Sequence, residues 1–214
     1  WLHPALQASY RGYTGPGKLP VHLGNWYDAT GQGATYPVDG DGHGTHTMGT
    51  IVGQNGIGVA PGARWIAVKA FDKNGTAQNS WLHAAFQWIL APNGDPSLAP
   101  DVVNNSWSNT NGFLTEFEAD IAALRAAGIY PVFAAGNSGP EPGTVGSPGS
   151  LDGVLSVGAT TPDDEVANFS SRGPSPWGKL QPEVSAPGKG ILSALPGGIY
   201  DSFDVTSMAA PHVT

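Results

Sequence analysis

The chain of 214 residues contains no cysteine, which excludes disulfide bonds, a thiol nucleophile and thiolate ligands for a metal. Basic side chains are scarce as well: nine lysines and arginines face seventeen acidic residues, so the formal net charge is −8. Surfaces that bind nucleic acid or anionic membranes need clustered basic side chains, and this charge balance argues against both partners. No apolar run approaches the ~20 residues of a membrane span. No basic segment followed by an apolar one, the mark of a signal peptide, stands at the start of the sequence.

Glycine and proline are abundant instead, with 31 and 19 residues, and they predict many tight turns and long loops. Apolar residues make up 40% of the chain and charged residues 12%, a balance typical of neither disordered nor fibrous proteins. A chain of this length can bury a sizeable core, so we interpret residues 1–214 as one domain or most of one. Residues 7–42 show little periodicity and are interpreted as a long surface excursion.

Predicted strands and helices alternate along the rest of the chain. Strands are predicted at 64–70, 101–106, 129–135 and 154–157, and helices at 78–90 and 114–127. The second of these helices should stop at Gly128. This alternation predicts an α/β fold built from parallel βαβ units, with helices covering the sheet. Such sheets carry their sites at the carboxyl ends of the strands.

Both helices show an apolar face. The face of the first is predicted to contain Trp81, Ala84, Ala85 and Trp88, and that of the second Leu114, Phe117, Ile121 and Leu124. We interpret these side chains as core.

Near the end of the sequence, Thr206 and Ser207 precede a run of small residues that predicts a turn into a helix. One interpretation is that one of the two hydroxyls only caps the helix. The other is that Ser207 is a nucleophile, which requires a base to remove its proton and donors to hold an oxyanion. The second interpretation therefore depends on the rest of the chain supplying both.

Residues 41–53 predict a tightly packed helix with His43 at its N-terminal end and His46 one turn further in. These histidines have three interpretations: a metal site, a packed structural pair, or a catalytic base at His43. A metal is disfavoured because no glutamate accompanies the pair and the His-Glu-x-x-His zinc pattern is absent.

Two polar segments follow predicted strands. Asn137 lies in the glycine-rich stretch 134–139, where it either adopts a left-handed turn or offers its side-chain amide to a developing negative oxygen. Residues 104–108 end the preceding strand, and an exposed strand end there could pair with an extended peptide.

Three sequence blocks stand in order on this background: His-Gly-Thr-His at 43–46, Ala-Ala-Gly-Asn-Ser-Gly at 134–139 and Thr-Ser-Met-Ala-Ala-Pro-His-Val at 206–213. Together they resemble the subtilisin-like serine proteases, or subtilase family, and most closely its bacillopeptidase-like branch. Asn-Phe-Ser-Ser-Arg-Gly-Pro at 168–174 and Glu-Val-Ser-Ala-Pro-Gly at 183–188 add to a likeness that runs from Leu2 to the last residue. The resemblance implies a three-layer subtilisin-like α/β fold, a mostly parallel sheet with helices on both faces, truncated here at both ends.

The resemblance also implies a serine endopeptidase that works through an acyl-enzyme. Ser207 would be the nucleophile, His43 the general base, and Asn137 the side-chain donor of the oxyanion hole beside the N–H of Ser207. Two segments would flank the substrate's main chain and the pocket for the residue before the cleaved bond: Ser106, Trp107 and Ser108, and Ala134, Ala135 and Gly136. Trp107 would form part of an apolar wall; the alternative is that it is half-buried packing.

The sequence departs from the family pattern in two places. The family's triad aspartate lies in an Asp-Ser/Thr-Gly block before the His-Pro that matches His3 and Pro4, and this sequence begins after that block. Asp39 and Asp41 occupy loop positions that the family does not use for the triad, so we assign the orienting carboxylate to no residue. Val205 stands where the family almost always has glycine, and a β-branched residue would be strained there at positive φ and could crowd the nucleophile.

These departures define the rival function, a catalytically impaired member that binds peptides without turnover. An esterase of the α/β-hydrolase type is disfavoured because no Gly-x-Ser-x-Gly elbow surrounds Ser207 and because His43 precedes it. Acyl transfer of this kind needs no cofactor, and no metal ligand is assigned; relatives bind calcium in surface loops, but no ligand set matches here. The resemblance implies protein or peptide substrates and an extracellular location, and it leaves the oligomeric state open.

Overall fold

The computed structural model describes all 214 residues. The helices are α1 (His43–Val52), α2 (Asn79–Leu90), α3 (Glu118–Ala126) and α4 (Thr206–Val213). The strands are β1 (Trp26–Asp28), β2 (Ala67–Lys69), β3 (Val102–Asn105), β4 (Tyr130–Ala134), β5 (Leu155–Thr160), β6 (Val184–Pro187), β7 (Ile191–Leu195) and β8 (Ile199–Phe203). Short 3₁₀ turns lie at Gln7–Ser9, Pro92–Gly94 and Pro96–Leu98. None of the helices combines the length and hydropathy that a bilayer crossing requires.

The chain forms two compact units. The first comprises Trp1–Pro100 and Ser193–Tyr200, and the second comprises Asp101–Leu192 and Asp201–Thr214. The first unit contains α1, α2 and a parallel pair of strands, β1 and β2. One of its cores gathers Leu6, Tyr10, Val52, Trp65 and Ala194, all nearly or fully buried.

The second unit is built on a four-stranded sheet in the order β3, β4, β5, β6, and every neighbouring pair is parallel. The sequence-based prediction of an α/β fold with a parallel sheet is therefore confirmed. Helix α4 packs on β4, β5 and β6, and helix α3 packs on β4. Strands β7 and β8 pair with each other in a separate two-stranded sheet.

The alternation of side chains along β4 shows that helices cover both faces of this sheet. Val132 and Ala134 join a buried cluster with Ala209 and Ala210 of α4. Phe133, which is fully buried, points to the other face and meets the ring of Trp107, with ring centroids 5.5 Å apart. Trp107 in turn contacts Phe117, the residue directly before α3, at 5.4 Å. Buried, short and close-packed side chains on the α4 face let that helix approach the sheet closely.

Helices α1, α2 and α3 and strands β2 to β5 confirm the predicted elements, with differences at the boundaries. Strand β2 covers only Ala67–Lys69 of the predicted 64–70 and is half-buried rather than buried. Helix α3 begins at Glu118, four residues later than predicted, so Leu114 lies outside it and is 39% exposed. Gly128, at φ +82°, follows its C-terminal cap as expected.

The predicted apolar face of α2 was confirmed at Ala85 and wrong at the other three positions. Its buried residues are Leu82, Ala85, Phe86 and Ile89, whereas Trp81 and Trp88 lie half-buried at the edges of that face. The helix is apolar at most positions, so the two tryptophans suggested a face rotated by about one residue from the observed one. The indole of Trp88 stacks instead on Tyr27 of β1, at 5.8 Å between ring centroids. The interpretation of residues 7–42 as a surface excursion was also incomplete, because this segment contains β1 and the fully buried Tyr10.

Candidate functional site

The second unit brings its predicted site segments together at the carboxyl ends of β3 and β4. Ser106 follows β3, Asn137 follows β4 by a few residues, and α4 begins at Thr206. The start of α4 is hydrogen-bonded to both strand ends, to Ser106 through Ser207 and to Asn137 through Thr206. This is the edge of a parallel sheet at which ligand sites are expected.

The hydroxyl of Ser207 is held by the backbone of Ser106, the residue that directly follows β3. Ser207 Oγ donates to the carbonyl of Ser106 at 3.1 Å, and Ser106 Oγ donates to the carbonyl of Ser207 at 2.7 Å. Ser207 is only 7% exposed, so its hydroxyl is largely shielded from solvent. As the second residue of α4, its N–H is among the first-turn donors that have no acceptor within the helix.

Asn137 is fixed by one end of its side-chain amide. Its Oδ1 accepts from the N–H and from the hydroxyl of Thr206, both at 2.8 Å. Thr206 is the first residue of α4, and the residue before it offers no capping side chain, so Asn137 takes over the capping role from another element. The Nδ2 end of the amide has no protein acceptor, and Asn137 is exposed. The Nδ2 donor of Asn137 is therefore left beside the first turn of α4, the helix that contains Ser207.

The other predicted substrate-binding residues surround this edge. Ala134 and Ala135 are buried, and Gly136 is buried with φ at +106°, a conformation that favours glycine. A Cβ on Gly136 would lie 3.0 Å from Ser171 Oγ and 3.3 Å from Ser108 Oγ. The structure thus brings Gly136 and the exposed Ser108 side by side. The half-buried Trp107 packs on Phe117 and Phe133, an arrangement that fits its packing interpretation.

His43 is the first residue of α1 and belongs to the first unit. The preceding Gly42 has φ +97°, and two carboxylates hold this turn. Asp39 Oδ1 accepts from Gly42 N at 2.8 Å, and its Oδ2 accepts from Thr45 N and Thr45 Oγ1 at 2.7 and 2.6 Å. Asp41 Oδ2 accepts from the N–H of His43 at 3.3 Å. The two carboxylates therefore fix the backbone on either side of the histidine.

The ionisation of His43 reflects two opposed influences. Partial burial lowers the pKa of His43 below its ordinary value of 6.5, and the negative charges of Asp41 and Asp39 raise it by a smaller amount. A lowered pKa keeps the imidazole neutral, and hence able to accept a proton, over a wider pH range.

The neighbouring His46 is fully buried, and its carbonyl accepts from Ser193 Oγ at 2.8 Å. No group of three or more histidine, aspartate or glutamate side chains is arranged to hold a metal ion. These contacts make His46 part of the packing of α1, so the two histidines have different surroundings.

Sequence reasoning missed two residues that support the site. Thr206, which the sequence indicates only as a possible cap, fixes Asn137. Asp39, which lies in a predicted loop, holds the turn before His43. Asp39 carried a usable signal, since an aspartate shortly before a helix start commonly accepts from first-turn N–H groups. No local pattern marks Thr206, because its partner Asn137 lies 69 positions away.

Fold and site together are those of an α/β domain that presents a serine and a carboxamide at the carboxyl edge of a parallel sheet. The family model described as "Subtilase family" matches residues 1–214. The chain belongs to the subtilase family.

The chain is also similar to individual curated proteins. It is 45% identical to bacillopeptidase F from Bacillus subtilis (strain 168), over 100% of this chain and 16% of that protein. It is 38% identical to subtilisin E from the same strain, over 82% of this chain and 44% of that protein. The identity to subtilisin-like protease 1 from Arthroderma otae is 38%, over 83% and 35% of the two chains. The chain thus spans less than half the length of these relatives.

Proposed function

We propose that the protein carrying this chain is a serine endopeptidase that cleaves peptide bonds through an acyl-enzyme. Ser207 attacks the scissile carbonyl, and His43 accepts its proton and later returns it to the leaving amine. Asn137 Nδ2 and the N–H of Ser207 donate to the oxyanion that forms. The carboxylate that orients the imidazole is assigned to no residue of this chain.

The observation that carries this proposal is the double hydrogen bond from Thr206 to Asn137 Oδ1. It fixes the amide against the residue next to the nucleophile and leaves Nδ2 as a preorganised donor. Such a donor stabilises charge that appears only in the transition state, without reorganising during the reaction. Loss of one side-chain donor of this kind in a subtilisin lowers kcat by about 10²–10³, a value measured within this family.

The substrates we propose are proteins or peptides. They would lie along Ser106, Trp107 and Ser108 on one side and Ala134, Ala135 and Gly136 on the other, within one peptidase domain spanning residues 1–214. The exposed Ser108 leaves the end of this segment accessible to an extended main chain. We further propose an extracellular location and a reaction without a cofactor; calcium remains an expectation with no residue assigned to it.

Hydrolysis of a chromogenic peptide by the full-length protein tests the proposal. Wild-type protein should release product, and Ser207→Ala should abolish the release while the protein keeps its melting temperature. Asn137→Ala should lower kcat by about 10²-fold or more and change KM little, because the donor acts in the transition state. Turnover that survives Ser207→Ala would contradict the proposal.

The rival candidate is a peptide-binding member without turnover, and Val205 is the observation that favoured it. The expected backbone strain at this position is absent: Val205 has φ −158° and ψ 161°, extended values that any residue adopts. The strain part of that hypothesis was therefore wrong, and only crowding by the half-buried side chain is left. In the full-length protein Val205→Gly should raise kcat if crowding limits the reaction; an unchanged or lower kcat removes Val205 as a reason for impairment.

A further inference from the structure

We propose that Asn104 is a positioning residue for the nucleophile and acts on Ser207 through the hydroxyl of Ser106. The inference deepens the proposed function and rests on it, because it assigns to Ser207 a supporting chain of hydrogen bonds. All of its members belong to the second unit.

The chain of hydrogen bonds begins at the far end of α4. Thr214 Oγ1 shares its proton between Asn104 Oδ1, at 3.2 Å, and the carbonyl of Ala210, at 3.1 Å. Asn104 is the third residue of β3, so its backbone is fixed by the sheet. Thr214 therefore ties the carbonyl end of the Asn104 amide to the helix that carries Ser207.

The other end of the amide reaches the nucleophile's main chain in two steps. Asn104 Nδ2 donates to Ser106 Oγ at 3.0 Å, and Ser106 Oγ donates its only proton to the carbonyl of Ser207 at 2.7 Å. Because Nδ2 can only donate, it occupies a lone pair of the Ser106 hydroxyl and directs the proton toward Ser207. Chains of this kind strengthen each member by polarisation.

The chain closes on the reacting group itself. Ser207 Oγ donates to the carbonyl of Ser106 at 3.1 Å, so Ser106 holds both the carbonyl and the hydroxyl of Ser207. A rotation of the Ser106 side chain would release the Ser207 carbonyl and loosen the first turn of α4. Reactions that depend on near-attack geometry lose rate when a reacting atom is misplaced by as little as an ångström.

The test is a double-mutant cycle in the full-length protein, with Asn104→Ala, Ser106→Ala and the double variant. The matched control is Val103→Ala, which truncates the adjacent β3 residue without touching the chain of hydrogen bonds. For each variant kcat, KM and the rate of Ser207 phosphonylation by a fluorophosphonate are measured on protein normalised by folded fraction.

Asn104→Ala should lower kcat and the phosphonylation rate together by about 3- to 10-fold, the size expected from one net hydrogen bond, with KM unchanged. In the Ser106→Ala background the same change should cost nothing further, because the link to Ser207 is already lost. Val103→Ala should leave the rates of folded protein unaltered. Unchanged rates for Asn104→Ala, or losses that add fully in the double variant, would overturn the proposal.

The behaviour of the wild-type protein distinguishes failure of this positioning role from failure of the proposed peptidase function. If wild-type protein is neither labelled nor active, the peptidase proposal fails, and the positioning of Ser207 is then decided by solution NMR. Asn104→Ala should shift the Ser207 amide resonance while Val103→Ala leaves it in place. An unmoved Ser207 resonance would overturn the positioning role by itself.

Discussion

The side chains of the site are held by hydrogen bonds that differ in what they leave free. Asn137 is tied by its oxygen and not by its nitrogen, whereas the Ser207 hydroxyl donates to the Ser106 carbonyl. An occupied hydroxyl is no obstacle to reaction, because a single neutral hydrogen bond contributes only about 0.5–1.5 kcal/mol net. Preorganisation of the amide and reversible restraint of the serine are therefore compatible.

The negative charge of Asp41 influences the pKa of His43, and this influence can be tested. Asp41 favours the protonated imidazole, so Asp41→Asn should move the pKa of His43 further below 6.5 than it lies in the wild-type protein. NMR titration of the imidazole protons measures the midpoint. Asp95→Asn, a change of the same charge at a carboxylate that does not influence His43, should leave the midpoint in place. A midpoint that rises in Asp41→Asn would show that the carboxylate does not act through its charge.

At the scale of elements, α1 depends on Asp39, whose carboxylate accepts from the backbone on both sides of His43. Asp39→Ala removes these acceptors and should lower the free energy of unfolding by about 1–2 kcal/mol, the upper range for a lost cap. Chemical denaturation measures the loss. Asp163→Ala, at an exposed aspartate, is the control and should change stability by less than about 0.5 kcal/mol. Equal effects of the two changes would refute the capping role.

Gly136 lies in the turn after β4, and Gly128, which precedes that strand, provides a matched comparison. Both have positive φ, +106° and +82°, but a Cβ at Gly136 meets two serine hydroxyls whereas one at Gly128 meets nothing within 4 Å. Gly128→Ala should cost about 1–2 kcal/mol of unfolding free energy from the backbone alone. Gly136→Ala should cost more, because crowding is added to that strain. Thermal unfolding of both variants checks this; a smaller loss for Gly136→Ala would contradict the contacts described for this turn.

The elements show how far the sequence could predict this fold. Helices α1 and α3 and strands β3 to β5 follow from apolar periodicity and glycine stops, which act locally. Strands β6 and β8 were missed because Val184–Pro187 and Ile199–Phe203 are mostly exposed and alternate poorly, so their pairing comes from tertiary context. The buried face of α2 was predicted incorrectly for a related reason. This helix has apolar residues on most sides, so only its neighbours in the fold decide which side is buried.

At the scale of the molecule, the second unit is organised around the sheet that carries the site. Phe133, in the central part of β4, is fully buried and packs against the ring of Trp107 on the face that α3 covers. Phe133→Ala should lower the free energy of unfolding by about 3–5 kcal/mol, since it leaves a cavity in packed surroundings. Leu180→Ala is the control, because Leu180 is 87% exposed and its loss should change stability by less than about 0.5 kcal/mol. Similar melting temperatures for the two variants would contradict the described core.

The residues of the candidate site could be named from the sequence, whereas the contacts that support them could not. Ser207, His43 and Asn137 stand in short motifs whose resemblance to a family carries the roles, so they could be named without a structure. Asn104 bonds to Thr214, Ser106 to Ser207 and Thr206 to Asn137, across separations of 110, 101 and 69 positions, and no local pattern marks such partners. The prediction of backbone strain at Val205 was wrong because it assumed the positive φ of a glycine, whereas the backbone is extended at this position.

If His43 activates Ser207 as proposed, the rate of Ser207 phosphonylation in the full-length protein depends on pH through the ionisation of His43. Only a neutral imidazole accepts a proton, so the rate should fall as the pH drops through the lowered pKa of His43, with a midpoint below 6.5. Mass analysis should place the adduct on Ser207, and His43→Ala should remove the labelling. An adduct elsewhere, or labelling of Ser207 that persists unchanged in His43→Ala, would contradict the account.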